Sequence, residues 1–404
     1  MSRKLDLRTG RPVWMAYRAP RVEASKLTRD IRTDVLVIGM GISGAMIAER
    51  LVDQGLSVAM IDRRGPMLGS TPATTALVQY EIDQPLVLLS RMIGKEKAVR
   101  AWRRSRLAVA NLAAHIRSAD IECALAYRPS LLLAGNVLDA GGLAEEASER
   151  RAAGIAAQHI TPAPLKERFG IDRGGAIVSP DNLALDPRKL TAGLLLRAQA
   201  GGARLHAPAE AVSFEHGRED VIVATRDGPV IRAGQVVLAT GYELVDGVPR
   251  DGHRIVSTWA MATRPQKAKA WPQEAFVWEA SDPYLYARIT QDGRVVCGGE
   301  DEEFQDEGRR DALIADKIRV IASKLGKLFP QLDTTPEFAW AGSFGSTATG
   351  LPIIGPLPRK PRMFAVMGYG GNGITFSRMA SEMIANAICG RGDADADLFA
   401  FPRP

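Results

Sequence analysis

Residues Asp34 to Asp62 read DVLVIGMGISGAMIAERLVDQGLSVAMID. An apolar run is followed by a GxGxxG turn, by a segment of helical length and by a second apolar run. This order predicts strand, turn, helix and strand, which is half of a mononucleotide-binding fold. Because the turn follows a strand directly and opens a helix, it is far more specific than an isolated glycine pattern. The rest of the chain must be arranged around this βαβ unit.

The glycines of the turn, and the acid that closes the second strand, each have a physical role. Gly39 permits the tight turn, Gly41 lets a pyrophosphate approach the backbone, and Gly44 allows helix and strand to pack closely. The phosphate then meets free N–H groups and the positive end of the helix dipole. Asp62 lies at about the 20-residue distance at which a carboxylate accepts hydrogen bonds from a ribose. A purely structural glycine turn does not require all of these features together, so we predict a dinucleotide site.

Two arginines directly after this acid leave two interpretations open. Arg63 and Arg64 are suited to recognising the 2′-phosphate of NADP. They are equally suited to packing against an adenosine or to a simple surface position. We favour the second interpretation on the evidence of later segments of the chain.

Composition excludes several other classes of protein. With 404 residues, 46% of them hydrophobic, the chain exceeds one compact domain, so two domains are expected. Its net charge of +6 comes from scattered Lys and Arg balanced by 46 acidic residues, so no nucleic-acid partner is expected. Three widely separated cysteines give no disulfide framework and no metal-ligand cluster. Without a signal-peptide core or a run of about 18 apolar residues, we expect a cytoplasmic protein with no transmembrane segment.

Patterns further along the chain predict a second domain interleaved with the first. The apolar run Val236–Ala239 and a C-terminal helix, Ile374–Ile388, are expected to return to the nucleotide sheet. A strand is predicted at Leu205–Phe214 and a hairpin around Asp227-Gly228. From Arg254 to Val296, alternating strands separated by prolines indicate a largely antiparallel sheet. The predicted division is a nucleotide-binding domain (31–83, 181–250 and 340–395), a substrate domain (84–180 and 251–339) and an N-terminal extension (1–30).

Four further segments, together with the glycine turn, resemble the D-amino-acid oxidase family of FAD-dependent oxidoreductases, which includes glycine oxidase and sarcosine oxidase. They are Gly69–Leu77 with its small and hydroxylated residues, Pro208–Phe214, Ala239-Thr240-Gly241, and the closing segments Gly350–Gly355 and Gly368–Thr375. The resemblance covers nearly the whole chain. It implies a mixed α/β fold in which a Rossmann-type FAD-binding domain is interleaved with a largely antiparallel substrate domain.

The resemblance also implies which residues contact the flavin. FAD is expected to be noncovalent, since no Cys or His stands at an obvious linking position. Backbone N–H groups at the start of the predicted helix Ile374–Ile388 are expected to stabilise negative charge on the reduced flavin ring. The cofactor residues so predicted are Gly39, Gly41, Ile42, Ser43, Gly44, Asp62, Arg63, Arg64, Ser70, Thr71, Thr74, Thr75, Ala76, Leu77, Ala211, Thr240, Gly241, Gly350, Ile353, Gly371, Asn372, Gly373, Ile374 and Thr375.

One strand is the candidate for substrate recognition. Tyr284, Tyr286 and Arg288 alternate along it, so a period of two places them on one face. An arginine flanked by aromatic rings is able to hold a carboxylate in a bidentate manner while the rings exclude water. Family members often use an arginine and a tyrosine in this way, although an exposed strand with a salt-bridging arginine gives the same pattern.

The chain departs from the amino-acid oxidase pattern at one place. Those enzymes commonly carry an arginine before the closing GLP turn, whereas Trp340–Thr349 contains no cation. We predict an FAD-dependent oxidoreductase that transfers a hydride from the C–N carbon of a small amine or amino-acid-like substrate to the flavin. Oxygen or another electron acceptor would reoxidise the flavin. The alternatives are a flavin dehydrogenase of a hydroxy acid or polyol phosphate, and a flavin-binding subunit without catalysis.

Overall fold

The computed structural model describes residues 5–268 and 270–402. Its α-helices are α1 (Ile42–Asp53), α2 (Leu86–Ile93), α3 (Lys95–Ser118), α4 (Ala140–Ala152), α5 (Pro162–Phe169), α6 (Pro187–Ala200), α7 (Glu307–Ala312), α8 (Ile314–Leu328), α9 (Gly373–Ile388) and α10 (Ala396–Phe399). The strands of the first half are β1 (Arg8–Gly10), β2 (Ile31–Ile38), β3 (Val58–Ile61), β4 (Leu77–Val78), β5 (Ala126–Leu133), β6 (Gln158–Ile160), β7 (Ala176–Ala184), β8 (Arg204–His206) and β9 (Ala211–His216). Those of the second half are β10 (Val221–Thr225), β11 (Val230–Leu238), β12 (His253–Thr263), β13 (Phe276–Glu279), β14 (Leu285–Ile289), β15 (Val295–Glu302), β16 (Pro336–Thr347), β17 (Ile353–Pro356) and β18 (Met363–Met367).

The first sheet contains the βαβ unit predicted from the glycine turn. Its main path runs β17-β18-β11-β2-β3-β8, and all neighbours from β18 to β8 are parallel. Val35 and Val37 pack on one face of β2, and Leu36 and Ile38 pack on the other. This strand is buried on both faces, which is why it reads as a continuous apolar run rather than an alternating one.

The second sheet is larger and mostly antiparallel, as the alternating strands predicted. Its strand order is β1-β16-β12-β15-β14-β13-β5-β7-β4, and β6 pairs with β7 outside this order. The long strands β12 and β16 pair antiparallel from His253↔Thr347 to Thr263↔Pro336. One pair, β13 with β5, is parallel. The predicted mixed α/β class is therefore confirmed.

One strand prediction was wrong. The segment from Leu205 to Phe214 was expected to form a single strand, but β8 ends at His206 and β9 begins at Ala211. Pro208 has no N–H to donate to a ladder, and the chain changes partner there. β8 pairs with β3, whereas β9 pairs with β10. The predicted hairpin at Asp227-Gly228 does join β10 and β11, with Ala224 opposite Val230.

Two strands cross boundaries of the predicted domain division. β7 (Ala176–Ala184) spans the boundary at 181 and β16 (Pro336–Thr347) spans the one at 340, and both lie in the second sheet. Chain segments thus alternate between the sheets many times, and the exact division into domains stays a prediction. Within the described residues, none of the helices has both the length and the apolar character needed to cross a membrane.

Candidate active site

A cavity lies where the carboxyl ends of the parallel strands of the first sheet meet the second sheet. Ile38, Asp62 and Ala239 follow or close β2, β3 and β11, whereas Trp278 and Tyr286 come from the second sheet. The predicted cofactor residues that line this cavity are Gly39, Gly41, Ile42, Ser43, Asp62, Arg63, Arg64, Ser70, Thr71, Thr74, Thr75, Leu77, Ala211, Thr240, Gly241, Gly371, Asn372, Gly373 and Ile374. Ligands of open α/β sheets bind in a crevice at this edge.

At one end of the cavity, which we call the nucleotide end, the glycine turn is packed so closely that side chains would overlap its neighbours. Gly39 has φ +115°, and a Cβ there would lie 2.3 Å from the Ala239 carbonyl oxygen. A Cβ on Gly44 would lie 1.9 Å from the Gly39 carbonyl oxygen. A Cβ on Gly41 would lie only 3.2 Å from Thr71 Oγ1, which itself accepts the Ile42 N–H at 3.1 Å. Residues with a Cβ therefore do not fit at positions 39 and 44, whereas Gly41 lines the cavity beside the first turn of α1.

Asp62 fixes the end of β3 beside this turn. Its Oδ2 accepts the Met40 N–H at 2.8 Å, and its Oδ1 accepts the Arg64 and Gly65 N–H groups at 2.7 and 2.9 Å. The carboxylate thus holds the glycine turn and the following loop together. It also lines the cavity, in the position where a ribose contact was predicted.

The two arginines that follow Asp62 are occupied by a buried acid. Arg64 Nη1 and Nη2 both donate to the Glu243 carboxylate at 2.6 Å, and Arg63 pairs with the same carboxylate. Burial works to raise the pKa of Glu243, but the hydrogen bonds from Arg64 and the Leu5 N–H outweigh it and the pKa is lowered. Because both arginines already have this anionic partner, the structure favours packing against an adenosine, or a surface position, over recognition of a 2′-phosphate.

At the start of α9, side chains tie the helix to the segment that follows β4. Asn372 Nδ2 donates to the Glu81 carbonyl oxygen at 2.9 Å, and Thr375 Oγ1 donates to the Gln79 carbonyl oxygen at 2.7 Å. Residues 79–81 are thereby held against the helix N-terminus. Asn372 Oδ1 is buried without a hydrogen-bond partner.

Five predicted cofactor residues do not line the cavity. Thr375 instead holds the backbone of residue 79, and Gly44 packs between helix and strand, the role first expected of it. Ile353 lies in β17 within the hydrophobic core, and Gly350 forms the turn after β16 with its N–H on the Thr347 carbonyl. Ala76 has φ +57°, and its carbonyl oxygen points to Arg288. These positions shape the site through the backbone rather than by facing it.

Arg288 also lies outside the cavity, which corrects its predicted role. It is 3% exposed, and its Nη1 donates to the carbonyl oxygens of Ala76 and Leu185 at 2.6 and 3.1 Å. Its guanidinium lies 5.2 Å from the ring centre of Trp14 and 5.8 Å from that of Phe276. Burial lowers its pKa to about 10. Strand alternation correctly placed Arg288 on the same side of β14 as Tyr286, but it could not show how deeply Arg288 is buried. Arg288 donates to the Ala76 carbonyl oxygen and does not line the cavity.

Tyr284 and Tyr286 do line the opposite end of the cavity, which we call the substrate end. Their ring centres are 5.7 Å apart, and the Tyr284 hydroxyl donates to Asp301 Oδ2 at 2.5 Å. Burial raises the pKa of Asp301 to about 6, and burial also raises the pKa values of both tyrosines. Trp278 and Thr258 complete this wall. The hydroxyls therefore stay protonated and serve as hydrogen-bond donors at neutral pH.

Sequence analysis missed the three polar residues that face these rings. Gln79, Glu81 and Asp83 line the cavity, and Tyr80 and Ile82 between them are 1% and 0% exposed. The signal was present as a polar–apolar alternation directly after the hydroxyl-rich loop. It was overlooked because the run is too short to indicate a strand by itself.

The positive charges in the described lining of the cavity lie at its nucleotide end. Among the described residues that line the cavity, Arg63 and Arg64 are the only Lys or Arg, and both belong to the nucleotide end. Gly342, Ser343 and Phe344 of β16 line the cavity where the family resemblance suggested an arginine. The arginine that segment Trp340–Thr349 lacks in the sequence is therefore also lacking from the part of the cavity wall that this segment forms.

The fold and this cavity define a flavin-dependent oxidoreductase, and comparison with known proteins gives the family. The model of the FAD dependent oxidoreductase family, DAO, matches residues 34–387, and the chain belongs to this family. It is 24% identical over 392 residues to the gamma-glutamylputrescine oxidoreductase of Escherichia coli (strain K12), covering 94% of this chain and 89% of that protein. It is 22% identical over 377 residues to the glycine oxidase of Geobacillus kaustophilus (strain HTA426), covering 88% and 93%.

Solved structures agree on the fold. The crystal structure of glycine oxidase from Geobacillus kaustophilus has a TM-score of 0.75 at 21% identity, covering 92% of this chain and 99% of that one. L-proline dehydrogenase from P. horikoshii has a TM-score of 0.76 at 19% identity, covering 92% and 97%. The resemblance seen in the sequence is confirmed, and the protein is an FAD-dependent oxidoreductase. Gly41 lines the cavity and lacks a side chain where a Cβ would lie 3.2 Å from Thr71 Oγ1, which fits the close approach of such a cofactor.

Proposed function

We propose that this enzyme oxidises the C–N bond of a small amine to an imine, which water then hydrolyses. The observation that carries the proposal is the substrate end of the cavity, where acids and tyrosines face each other with no Lys or Arg among the described lining residues. A hydroxy acid or a polyol phosphate is an anion and would be repelled there. Two relatives whose names mention glycine and gamma-glutamylputrescine support an amine substrate.

The nucleotide end is proposed to hold FAD without a covalent link. The first turn of α1 would receive the diphosphate and Asp62 the ribose. The start of α9 would place N–H groups and a helix dipole beside the ring, where they favour negative charge. When bound, FAD supplies the acceptor for the hydride that leaves the carbon of the substrate.

The remaining work of the chain is to bind and orient the amine. As the hydride leaves, the nitrogen lone pair forms the C=N bond, and a proton leaves the nitrogen. Addition of water to the imine then gives a carbonyl compound and ammonia or a free amine. Tyr284 and Tyr286 would orient the reacting group, and Trp278 would exclude water from it. Oxygen or an electron carrier would take the two electrons in a second step.

An anaerobic panel of amines, hydroxy acids and polyol phosphates tests this function directly. The purified holoprotein is mixed with each compound, and reduction is followed as loss of the visible flavin absorbance. We expect amines to bleach the flavin, with one carbonyl and one nitrogen product released per flavin reduced. Bleaching by a hydroxy acid with no nitrogen release would contradict the proposal, and so would an enzyme that no amine reduces.

Two further properties belong to the same proposal. The cytoplasmic location expected from the sequence stays a prediction. Noncovalent binding is checked by acid precipitation, which we expect to release all of the flavin into the supernatant as intact FAD. Flavin that stays with the precipitated protein would require a covalent bond.

A further inference from the structure

We propose that Tyr284 and Asp301 form a proton relay that takes a proton from the substrate nitrogen before the hydride leaves. The relay rests on the proposed amine oxidation and explains how this chain makes the nitrogen lone pair available. At neutral pH a simple amine is mostly an ammonium ion, since the amine of a lysine side chain has a pKa of about 10.4. An ammonium ion has no lone pair with which to form the C=N bond, so one proton has to leave first.

The hydrogen bond of the Tyr284 hydroxyl sets the direction of this relay. Tyr284 lines the substrate end of the cavity, and Asp301 lies behind it, outside the lining. The only proton of the hydroxyl is donated to Asp301 Oδ2 at 2.5 Å. Because a phenol has one proton and two lone pairs, the Tyr284 oxygen acts toward any other group as an acceptor. An N–H group of the substrate is a donor that fits it.

Asp301 is suited to receive the proton. Its Oδ1 is buried without a hydrogen-bond partner, so one oxygen of the ionised carboxylate has lost solvent without gaining a donor. Burial raises the pKa of Asp301 to about 6, although the Thr258 and Tyr284 hydroxyls favour its ionised form. Above this pH the carboxylate is ionised and able to accept a proton. Protonating it costs less than protonating an ordinary Asp, whose pKa is about 3.9.

The charged groups around Asp301 come from several elements. Asp83, in the segment after β4, raises the pKa of Asp301, and Lys317 of α8 lowers it. Lys317 itself pairs with Glu302 at 2.7 Å. Further cations pair with acids that neighbour Asp301 in the chain, namely Lys324 with Glu300, Arg309 with Glu302 and Arg254 with Glu303. Each of these cations thus has another carboxylate as its direct partner.

The transfer is balanced and needs no further reactant. The proton on nitrogen moves to the Tyr284 oxygen while the Tyr284 proton moves to Asp301 Oδ2. The nitrogen keeps the electron pair of the broken N–H bond, Tyr284 stays neutral, and the Asp301 carboxylate becomes a neutral acid. After the product has left, the reverse transfer to water in the cavity restores the pair. Asp301 acts through Tyr284 and is therefore a positioning residue.

Infrared titration of the holoprotein tests the shared proton without turnover. The C=O band of a protonated carboxyl group that Asp301→Asn lacks is followed against pH in the wild type. We expect a midpoint near 6. In Tyr284→Phe the midpoint should lie about one unit higher, because the lost hydrogen bond stabilised the ionised form. Tyr286→Phe, which removes a hydroxyl from the same wall, should leave the midpoint in place. Equal midpoints in wild type and Tyr284→Phe would overturn the relay.

Stopped-flow kinetics test whether the pair moves the proton during the reaction. The amine that reduces the flavin fastest in the anaerobic panel is mixed at saturation with the holoprotein between pH 5 and pH 8. The limiting rate constant of wild type should rise with pH through about 6, as Asp301 becomes ionised. In Asp301→Asn and Tyr284→Phe it should fall about 100-fold at pH 7, and the rise should be lost. Asp172→Asn, at an exposed position, should behave as wild type.

The amide variant separates the relay from a purely structural role. The amide oxygen in Asp301→Asn still accepts the Tyr284 O–H, but the side chain no longer has a basic site. A wild-type rate constant and pH profile in this variant would mean that Asp301 only orients the hydroxyl, and would refute the relay. If Asp301→Asn does not retain FAD, Tyr284→Phe decides the same question.

The two measurements also separate the relay from the proposed function. Amines that reduce the flavin at a rate independent of Asp301 and Tyr284 would refute the relay and retain amine oxidation. An Asp301 midpoint that depends on Tyr284, with no amine oxidised, would refute the proposed function and retain the proton shared by the two residues.

Discussion

The two ends of the cavity are built by different means. The nucleotide end is centred on one βαβ unit, the turn from Gly39 to Gly44 and the acid at Asp62, and Ala239 and Glu243 of later segments complete it. The substrate end is formed by side chains from distant segments, with Glu81 and Asp83 lining the same cavity as Tyr284, whose hydroxyl donates to Asp301. The comparison teaches that local geometry determines which cofactor class binds, whereas long-range packing determines which charge meets the substrate.

The largest effect is expected from a substitution in the glycine turn of the nucleotide end. In Gly44→Val the new Cβ would lie 1.9 Å from the Gly39 carbonyl oxygen, so the turn cannot keep its shape. We expect at least a 100-fold loss of FAD affinity or isolation of colourless protein, measured as flavin per polypeptide. Gly392→Ala is the matched control, because a Cβ there meets nothing within 4 Å. Full flavin content in Gly44→Val would show that the turn does not receive the diphosphate.

Arg288→Met examines whether the substrate end relies on this cation. The variant leaves the Ala76 and Leu185 carbonyl oxygens without their donor, so we expect the free energy of unfolding to fall by about 2–4 kcal/mol. KM for an amine should change by less than about threefold, since Arg288 does not line the cavity. Urea unfolding and steady-state kinetics measure the two effects. Arg319→Met, at an exposed helix position, is the control. A selective rise in KM without loss of stability would restore the role predicted from sequence.

Asp301→Asn tests whether burial raises the pKa of the acid that accepts the Tyr284 hydroxyl. Burial raises the pKa of Asp301 to about 6, above the value of about 3.9 for unfolded Asp. The folded state therefore binds more protons between these values, and the Asp301 contribution to stability is present below pH 4 and lost as the pH rises through 6. At about 1.4 kcal/mol per pKa unit, wild type should lose about 2–3 kcal/mol more than the variant between pH 4 and pH 7.

Urea unfolding of both proteins at a series of pH values measures this difference. Phe or Leu substitutions would confound it by changing volume, so the isosteric amide is the appropriate variant. Parallel curves for wild type and variant across the interval would mean that Asp301 titrates normally.

The smallest expected effect lies at the rim of the nucleotide end. Glu210 pairs with Arg226 at 2.8 Å and lies 3.6 Å from Arg63, but Glu243 is the buried acid that holds the arginines. Glu210→Gln should therefore change stability by less than about 1 kcal/mol and FAD affinity by less than about threefold. Isothermal titration of the apoprotein with FAD checks this. A tenfold change would assign Glu210 a direct part in nucleotide binding.

Sequence reasoning succeeded where a pattern acts locally. The apolar run of β2, the turn at Gly39 and the acid at Asp62 lie within one βαβ unit, so their spacing alone predicted a dinucleotide site. It failed at Leu205–Phe214, where one predicted strand is divided between partners, because strand pairing is a long-range property. It also failed for Arg288. The alternation with Tyr284 and Tyr286 was correct, but the sequence did not show that the Arg288 side chain is buried outside the cavity.

The sequence by itself determined the βαβ unit and its dinucleotide site, since glycine spacing and apolar periodicity follow from covalent geometry that every chain shares, and the resemblance of further segments to a known family implied the flavin. Only the tertiary structure brought Gln79, Glu81 and Asp83 opposite the tyrosines of β14 and its preceding loop. These segments are about 200 residues apart, and nothing local specifies that they meet. That these residues line one cavity is a property of the packed molecule and not of either segment.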